Sequence, residues 1–217
     1  MQSQRIIVKL GTSTLTNGTK QLHRERMLEI VQQIAHLHQQ GHELILVSSG
    51  AQAAGREHLN FPTLTRSVPA KQMLSAVGQS HLMRIYSDLF DIFQIIVGQI
   101  LLTRDDLSQR GRYLNARDTL QTMIEQGIIP IINENDTIAT EEIRVGDNDN
   151  LSAMVASVID ADLLILLTDQ SGLFTADPRK FADAQKIDVI ERIDADLFNL
   201  AGGAGSSVGT GGMRTKL

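Results

Sequence analysis

The sequence has no cysteine and no tryptophan. Without cysteine there are no disulfides and no thiolate metal ligands, which fits a reducing compartment. Aromatic residues are scarce, two tyrosines and six phenylalanines, so base stacking is not an obvious device for this chain. Positive charge is also short, with 20 Lys and Arg against 25 Asp and Glu, a formal net charge of −5. No basic stripe occurs, which argues against a nucleic-acid-binding surface. No apolar run approaches the ~18–20 residues that a membrane span needs. The opening Met-Gln-Ser-Gln-Arg runs straight into an apolar segment and leaves no room for a signal peptide, so a cytoplasmic protein is expected. No Gly-Lys dipeptide occurs, so the common phosphate loop Gly-x4-Gly-Lys-Ser/Thr is absent.

What is present is an alternation of apolar strands and amphipathic helices across 217 residues, enough for one large domain with a sizeable core. Strands are expected at Arg5 to Leu10, Leu44 to Val47, Ile128 to Ile132 and Leu163 to Leu167, and Ile92 to Leu102 is another apolar stretch. Helices are expected from His23 to Gln40, after Ser49-Gly50, from Pro69, from Tyr113 to Gln126 and from Asn150 to Ile159. Such alternation predicts a mainly parallel sheet covered on both faces. The six histidines show no zinc-like spacing and are read as structural.

One stretch stands out. Between Asn133 and Asn150 lie Glu134, Asp136, Glu141, Glu142, Asp147 and Asp149, interleaved with Asn133, Asn135, Asn148 and Asn150. Any one of these is an ordinary turn or cap residue. Together they repel one another unless a cation offsets them, and they sit where strands end in an α/β sheet. Lys9 at the end of a buried strand, followed by Gly11, could aim an ammonium at a bound anion. Ser49-Gly50 opens a helix and is either a plain cap or an anion site. Residues 202–212 hold six of the seventeen glycines and run into Met213-Arg214-Thr215-Lys216. That composition suits a flexible linker or a phosphate cradle.

These parts recur in order as Val-Lys-Leu-Gly-Thr-Ser (8–13), Ser-Ser-Gly-Ala (48–51), Ile-Ile-Asn-Glu-Asn-Asp (131–136), Val-Gly-Asp-Asn-Asp-Asn-Leu-Ser-Ala (145–153), Leu-Leu-Thr-Asp-Gln-Ser-Gly-Leu (166–173) and Gly-Thr-Gly-Gly-Met-Arg-Thr-Lys (209–216). In that arrangement the chain resembles the amino acid kinase family along essentially its whole length. The resemblance implies an α/β fold, a three-layer αβα sandwich with a mainly parallel central sheet, and residues 1–217 as one amino acid kinase domain. The family's domain continues past the matching lysine, and some members add an RNA-binding-like PUA domain. A domain short at its C-terminal end, without the PUA domain, is therefore expected.

The resemblance also implies transfer of the ATP γ-phosphoryl group to the side-chain carboxylate of glutamate, for proline synthesis. Lys9 and Lys216 would stabilise the moving charge, and Asp149 would orient them. Ser49, Gly50, Asp136, Asp147 and Asn148 would hold the amino acid. Lys9, Gly11, Thr168, Asp169, Thr210, Gly211, Gly212, Met213, Arg214, Thr215 and Lys216 would line the nucleotide. Mg2+ would be held mainly through the phosphates, with no dedicated protein metal site. A homo-oligomer and feedback inhibition by proline are further implications. The acidic stretch suits the α-ammonium of a free amino acid and would repel an N-acetylated one. Other acyl-phosphate kinases, acting on N-acetylglutamate or aspartate, and a non-catalytic amino-acid- or nucleotide-binding regulator are the alternatives.

Overall fold

The computed structural model describes residues 2–65, 67–139, 148–194, 197 and 213–216. Five apolar segments form one sheet: β1 (Arg5–Leu10), β2 (Glu43–Ser48), β3 (Val97–Leu102), β4 (Ile129–Glu134) and β5 (Leu163–Leu167). Their order is β3-β4-β2-β1-β5, and every neighbouring pair runs parallel. The carboxyl ends Leu10, Ser48, Leu102, Glu134 and Leu167 therefore share one edge, the edge where α/β sheets place ligands.

The helices are α1 (Thr12–Thr16), α2 (Arg24–Gln39), α3 (Ala51–His58), α4 (Val68–Asp91), α5 (Arg104–Ser108), α6 (Arg110–Glu125) and α7 (Asn148–Val158). Side chains alternate across a strand, so each strand feeds two cores. Ile6, Val8 and Leu10 join Leu44, Leu46 and the inner stripes of α2 and α4, including Met27, Ile34, Leu82 and Phe90. Ile7 joins Ile45, Val47 and Ile132 against α6 and α7, through Leu120, Ile124, Leu151 and Val155. The result is the expected three-layer αβα sandwich. By the same alternation Lys9 falls on the α7 side of the sheet.

Three local readings change. The apolar stretch from Ile92 is a strand only from Val97, and Ile92 and Ile96 are 60% and 67% exposed in the preceding turn. Gln94 there takes a positive φ of 58°, which ends the run from α4 before β3 begins. The helix expected from Tyr113 begins at Arg110. The helix expected from Asn150 begins at Asn148 and so carries Asn148 and Asp149 in its first turn. A short antiparallel pair, β6 (Leu173–Phe174) with β7 (Lys186–Ile187), follows the sheet. Met213–Lys216 is a single 3-10 turn.

α3 and α4 cross in close contact at two glycines. A Cβ on Gly78 would lie 1.7 Å from the Ala51 carbonyl oxygen, and one on Gly55 would lie 2.1 Å from that of Leu74. Backbone, not side chain, blocks both positions.

Candidate active site

At the shared sheet edge Lys9, from the end of β1, meets the first turn of α7. Its Nζ lies 2.6 Å from Asp149 Oδ1, and Lys216 Nζ donates to Asp149 Oδ2 at 2.7 Å. The Asp149 side chain is 2% exposed, that of Lys9 9% and that of Lys216 15%. Burial pushes the Asp149 carboxyl up. The hydrogen bond from Lys216 and the charge of Lys9 outweigh it and hold the group below the ordinary carboxylate range. One ionised carboxylate thus clamps two ammonium groups at fixed positions. The position of Asp149 within the first turn of a helix adds the favourable sign of the backbone dipole.

Gly11 follows β1 directly. A Cβ there would stand 3.6 Å from Lys9 Nζ and 3.9 Å from the Leu167 carbonyl oxygen, so the missing side chain keeps the space beside the ammonium open. Thr168 and Asp169 follow β5, the neighbour of β1, and the Thr168 hydroxyl donates to Asp169 Oδ1 at 3.2 Å. Met213 lies in the 3-10 turn that also carries Arg214, Thr215 and Lys216. The expected nucleotide residues Thr210, Gly211 and Gly212, and the expected substrate residue Asp147, lie outside the described residues.

Ser49 does not cap α3. The helix follows Gly50, which takes φ 101° and offers no side-chain cap. The Ser49 oxygen instead accepts from Asn148 Nδ2 at 2.8 Å, joining β2's end to α7. A side chain on Gly50 would be strained by that φ and would meet Leu15 Cδ1 at 3.0 Å. The same Asn148 amide donates to Asn133 Oδ1 at 3.0 Å, and Asn133 Nδ2 donates to Gln79 Oε1 at 2.9 Å. Gln79 Nε2 in turn donates to Gln99 Oε1 at 3.0 Å. A line of amides therefore runs from β3 through α4 and β4 to Asn148.

Asp136, just past β4, accepts from the Ser75 hydroxyl at 2.7 Å and from Gln52. Burial raises its carboxyl above the ordinary value, and these neutral donors with the more distant Lys71 only partly offset that. Gln52, Ser75, Gln79, Gln99 and Asn133 were not among the expected site residues. The readable signal was a polar pair, Ser75 and Gln79, on the buried stripe of α4 beside Leu74, Leu82 and Ile85. The histidines do structural work where they are placed. His23 caps α2 by accepting from Arg26 N–H, His42 accepts from Gln4 N–H, and His58 stacks on His81 at 4.7 Å.

A profile described as "Amino acid kinase family" matches residues 4–217. A protein named "Glutamate 5-kinase" from Aliivibrio salmonicida is 59% identical over 216 residues, covering 100% of this chain and 58% of that protein. One of the same name from Shewanella amazonensis is 59% identical over 214 residues, 99% of this chain and 56% of that protein. The Sodalis glossinidius protein so named is 55% identical and covers 99% of this chain. The chain thus spans less than three fifths of the length of these relatives. The crystal structure of aspartate kinase from Synechocystis aligns over 84% of this chain and 31% of that one, with a TM-score of 0.55 at 18% identity. That likeness concerns the fold. Among the described residues, no helix is long and apolar enough to cross a membrane.

Proposed function

The chain belongs to the amino acid kinase family, and from that premise we propose that it serves as the kinase domain of a glutamate 5-kinase. It would transfer the γ-phosphoryl group of ATP to the side-chain carboxylate of L-glutamate, giving glutamate 5-phosphate, the first step of proline biosynthesis. The observation that carries the reading is the pair of ammonium groups fixed on one buried carboxylate, Lys9 and Lys216 on Asp149. The relatives named above supply the choice of amino acid.

The chemistry asks little of the protein beyond positioning and charge. A carboxylate with an ordinary pKa of about 4.3 is already ionised at neutral pH, so no general base is needed. Charge spreads over the moving phosphoryl oxygens, and two ammonium groups already held in place stabilise it without reorganising. Asp149 cancels one of their charges, which lets the two lysines stand close together and leaves one net positive charge facing the nucleotide. Gly11, Thr168, Asp169 and the run Thr210 to Lys216 would line the nucleotide. ATP carries Mg2+ on its phosphates. Both Asp149 oxygens are already engaged by ammonium groups, which fits an ion held by the nucleotide rather than by a protein cage.

Ser49, Gly50, Asp136, Asn148 and Asp147 would hold glutamate. The Ser49 oxygen already accepts from Asn148, so its hydrogen is available for a substrate carboxylate. Among the described residues the hydrogen-bond donors to Asp136 are neutral, so it would gain most from an ammonium, which favours free glutamate over N-acetylglutamate. The reading includes a cytoplasmic homo-oligomer inhibited by proline, without nucleic-acid or membrane partners.

The test supplies MgATP, hydroxylamine and, in parallel, glutamate, N-acetylglutamate or aspartate. Hydroxylamine traps an acyl phosphate as a coloured hydroxamate. Signal with glutamate alone is the expected result. Signal only with another acid changes the substrate. No signal from a sample that binds MgATP leaves truncation or a binding-only regulator, and activity restored on extending the chain names truncation.

A further inference from the structure

We infer that Asn133 and Gln79 are positioning residues that hold the Asn148 amide with its oxygen as the free end, so that the amino-acid pocket accepts a protonated amine. The inference deepens the glutamate reading and takes the identity of the ligand from it.

The direction of a side-chain amide follows from its partners, since one end only accepts and the other only donates. A backbone N–H allows no such choice. The Glu134 N–H lies 2.8 Å from one end of Asn133, so that end is oxygen. The other end of Asn133 is then its NH2 group, and the Gln79 atom 2.9 Å away must be oxygen. The NH2 of Gln79 accordingly faces Gln99 Oε1 at 3.0 Å. In the other direction, the same Asn133 oxygen lies 3.0 Å from Asn148, so Asn148 presents its NH2 there. The second hydrogen of that NH2 goes to Ser49 at 2.8 Å. What remains of Asn148 is its carbonyl oxygen, which is buried and has no hydrogen-bond partner among the described residues.

One backbone N–H thereby sets the polarity of the whole line. Turning Asn148 over would bring its oxygen against the Asn133 oxygen. Turning Asn133 over would set like ends against Glu134 N–H and Gln79 at once. Asn133 is 3% exposed, Asn148 8% and Gln79 9%, so bulk water is not at hand to relieve such a clash. A buried acceptor without a donor is unfavourable, and the deficit is removed when a ligand donates to it. Asp136, two residues beyond β4, is a second acceptor whose donors among the described residues are neutral. On this inference both acceptors face one ligand, and such a site takes the α-ammonium of an amino acid and turns away a diacid of the same length without the amine.

The test is calorimetric binding of L-glutamate and of glutarate, with a non-hydrolysable ATP analogue present. The variants are Asn133→Leu, Gln79→Leu and Gln79→Glu. The parent should prefer glutamate. Both leucine variants should weaken glutamate about tenfold, the scale of one hydrogen bond to a charged group, while glutarate and nucleotide hold within about twofold. Gln79→Glu should keep the preference, because a carboxylate still accepts from Asn133 and the exposed Gln99 can turn its amide to donate.

A parent that binds glutarate as tightly as glutamate, or binds neither, overturns the inference. So does equal weakening of both ligands in the leucine variants, the mark of mere structural damage. If those variants do not fold, loss of preference in Gln79→Glu alone overturns it. A parent that shows the preference yet makes no hydroxamate, even when the chain is extended to the length of its relatives, retires the kinase reading and leaves the polarity relay standing. Hydroxamate without the preference does the reverse.

Discussion

Two aspartates stand past the carboxyl ends of the same sheet and are pushed in opposite directions. Asp149 begins α7 between two lysines, and despite its burial its carboxyl is held below the ordinary range. Asp136 follows β4 among Ser75 and Gln52, and burial lifts its carboxyl above that range. The difference is one of partners rather than depth. A carboxylate that already has its cations is an internal anchor, whose task is to hold other groups still. A carboxylate given only neutral donors is stabilised further when a cation arrives. Groups driven apart in this way mark a division of labour within a site. Among the described residues Asp149 already has its two ammonium partners, whereas Asp136 is met by neutral hydrogen-bond donors.

The strongest way to break this contrast is to remove the anchor. Asp149→Ala leaves two buried ammonium groups without their counter-charge. It should lower turnover by about 10³-fold and stability by about 3–5 kcal/mol. Lys9→Ala should lower turnover by about 10²–10³-fold with a smaller loss of stability, because Asp149 keeps Lys216. Initial rates of hydroxamate formation and thermal melts on the same preparations separate the two. Matching losses of activity and stability in Lys9→Ala would remove its catalytic role.

Gly78→Ala acts on the other member of the pair. Its Cβ would meet the Ala51 carbonyl at 1.7 Å and force α3 from α4, the helices that carry Gln52 and Ser75. Stability should fall by about 3 kcal/mol. In the folded fraction glutamate should bind more weakly while nucleotide affinity is retained, a difference that paired titrations read.

Asp136→Asn is the mildest change and sharpens the comparison through pH. A carboxyl raised in the folded state binds more protons folded than unfolded. Its contribution is therefore present at low pH and lost as pH rises through the raised value. Asp149, held low, contributes stability above the ordinary carboxylate value and loses it as pH falls through its depressed one. Asp136→Asn should thus melt slightly higher at neutral pH, by about 2 °C, and less so in acid. Its glutamate affinity should drop. A variant that melts lower at neutral pH would show that the Asp136 charge is already compensated.

Much of the frame was legible in the residues. β1 and β5 run where their apolar runs predict, Arg5–Leu10 and Leu163–Leu167. β1 is buried, as a parallel strand covered on both faces must be apolar on both, while β5 is only partly buried. Lys9 was conspicuous as a charge ending such a strand. Its pairing with Asp149 and Lys216 was expected only through the family resemblance, since these groups are far apart in sequence. Asp147 and Thr210 to Gly212 lie outside the described residues and remain expectations.

The sequence by itself determined the alternation of strands and helices, the two apolar faces and the collection of charged groups at the strand ends. These follow from local periodicity, which each segment carries alone. Only the tertiary structure decided that Ser49 serves Asn148 rather than capping α3, and that Gln79, Gln99 and Asn133 form one line. It also decided that the two aspartates differ. An amide's direction and a carboxyl's affinity for its proton depend on which groups come within hydrogen-bonding reach and on how much water is left beside them. Those neighbours are brought together by crossovers many residues long, and no local pattern encodes them.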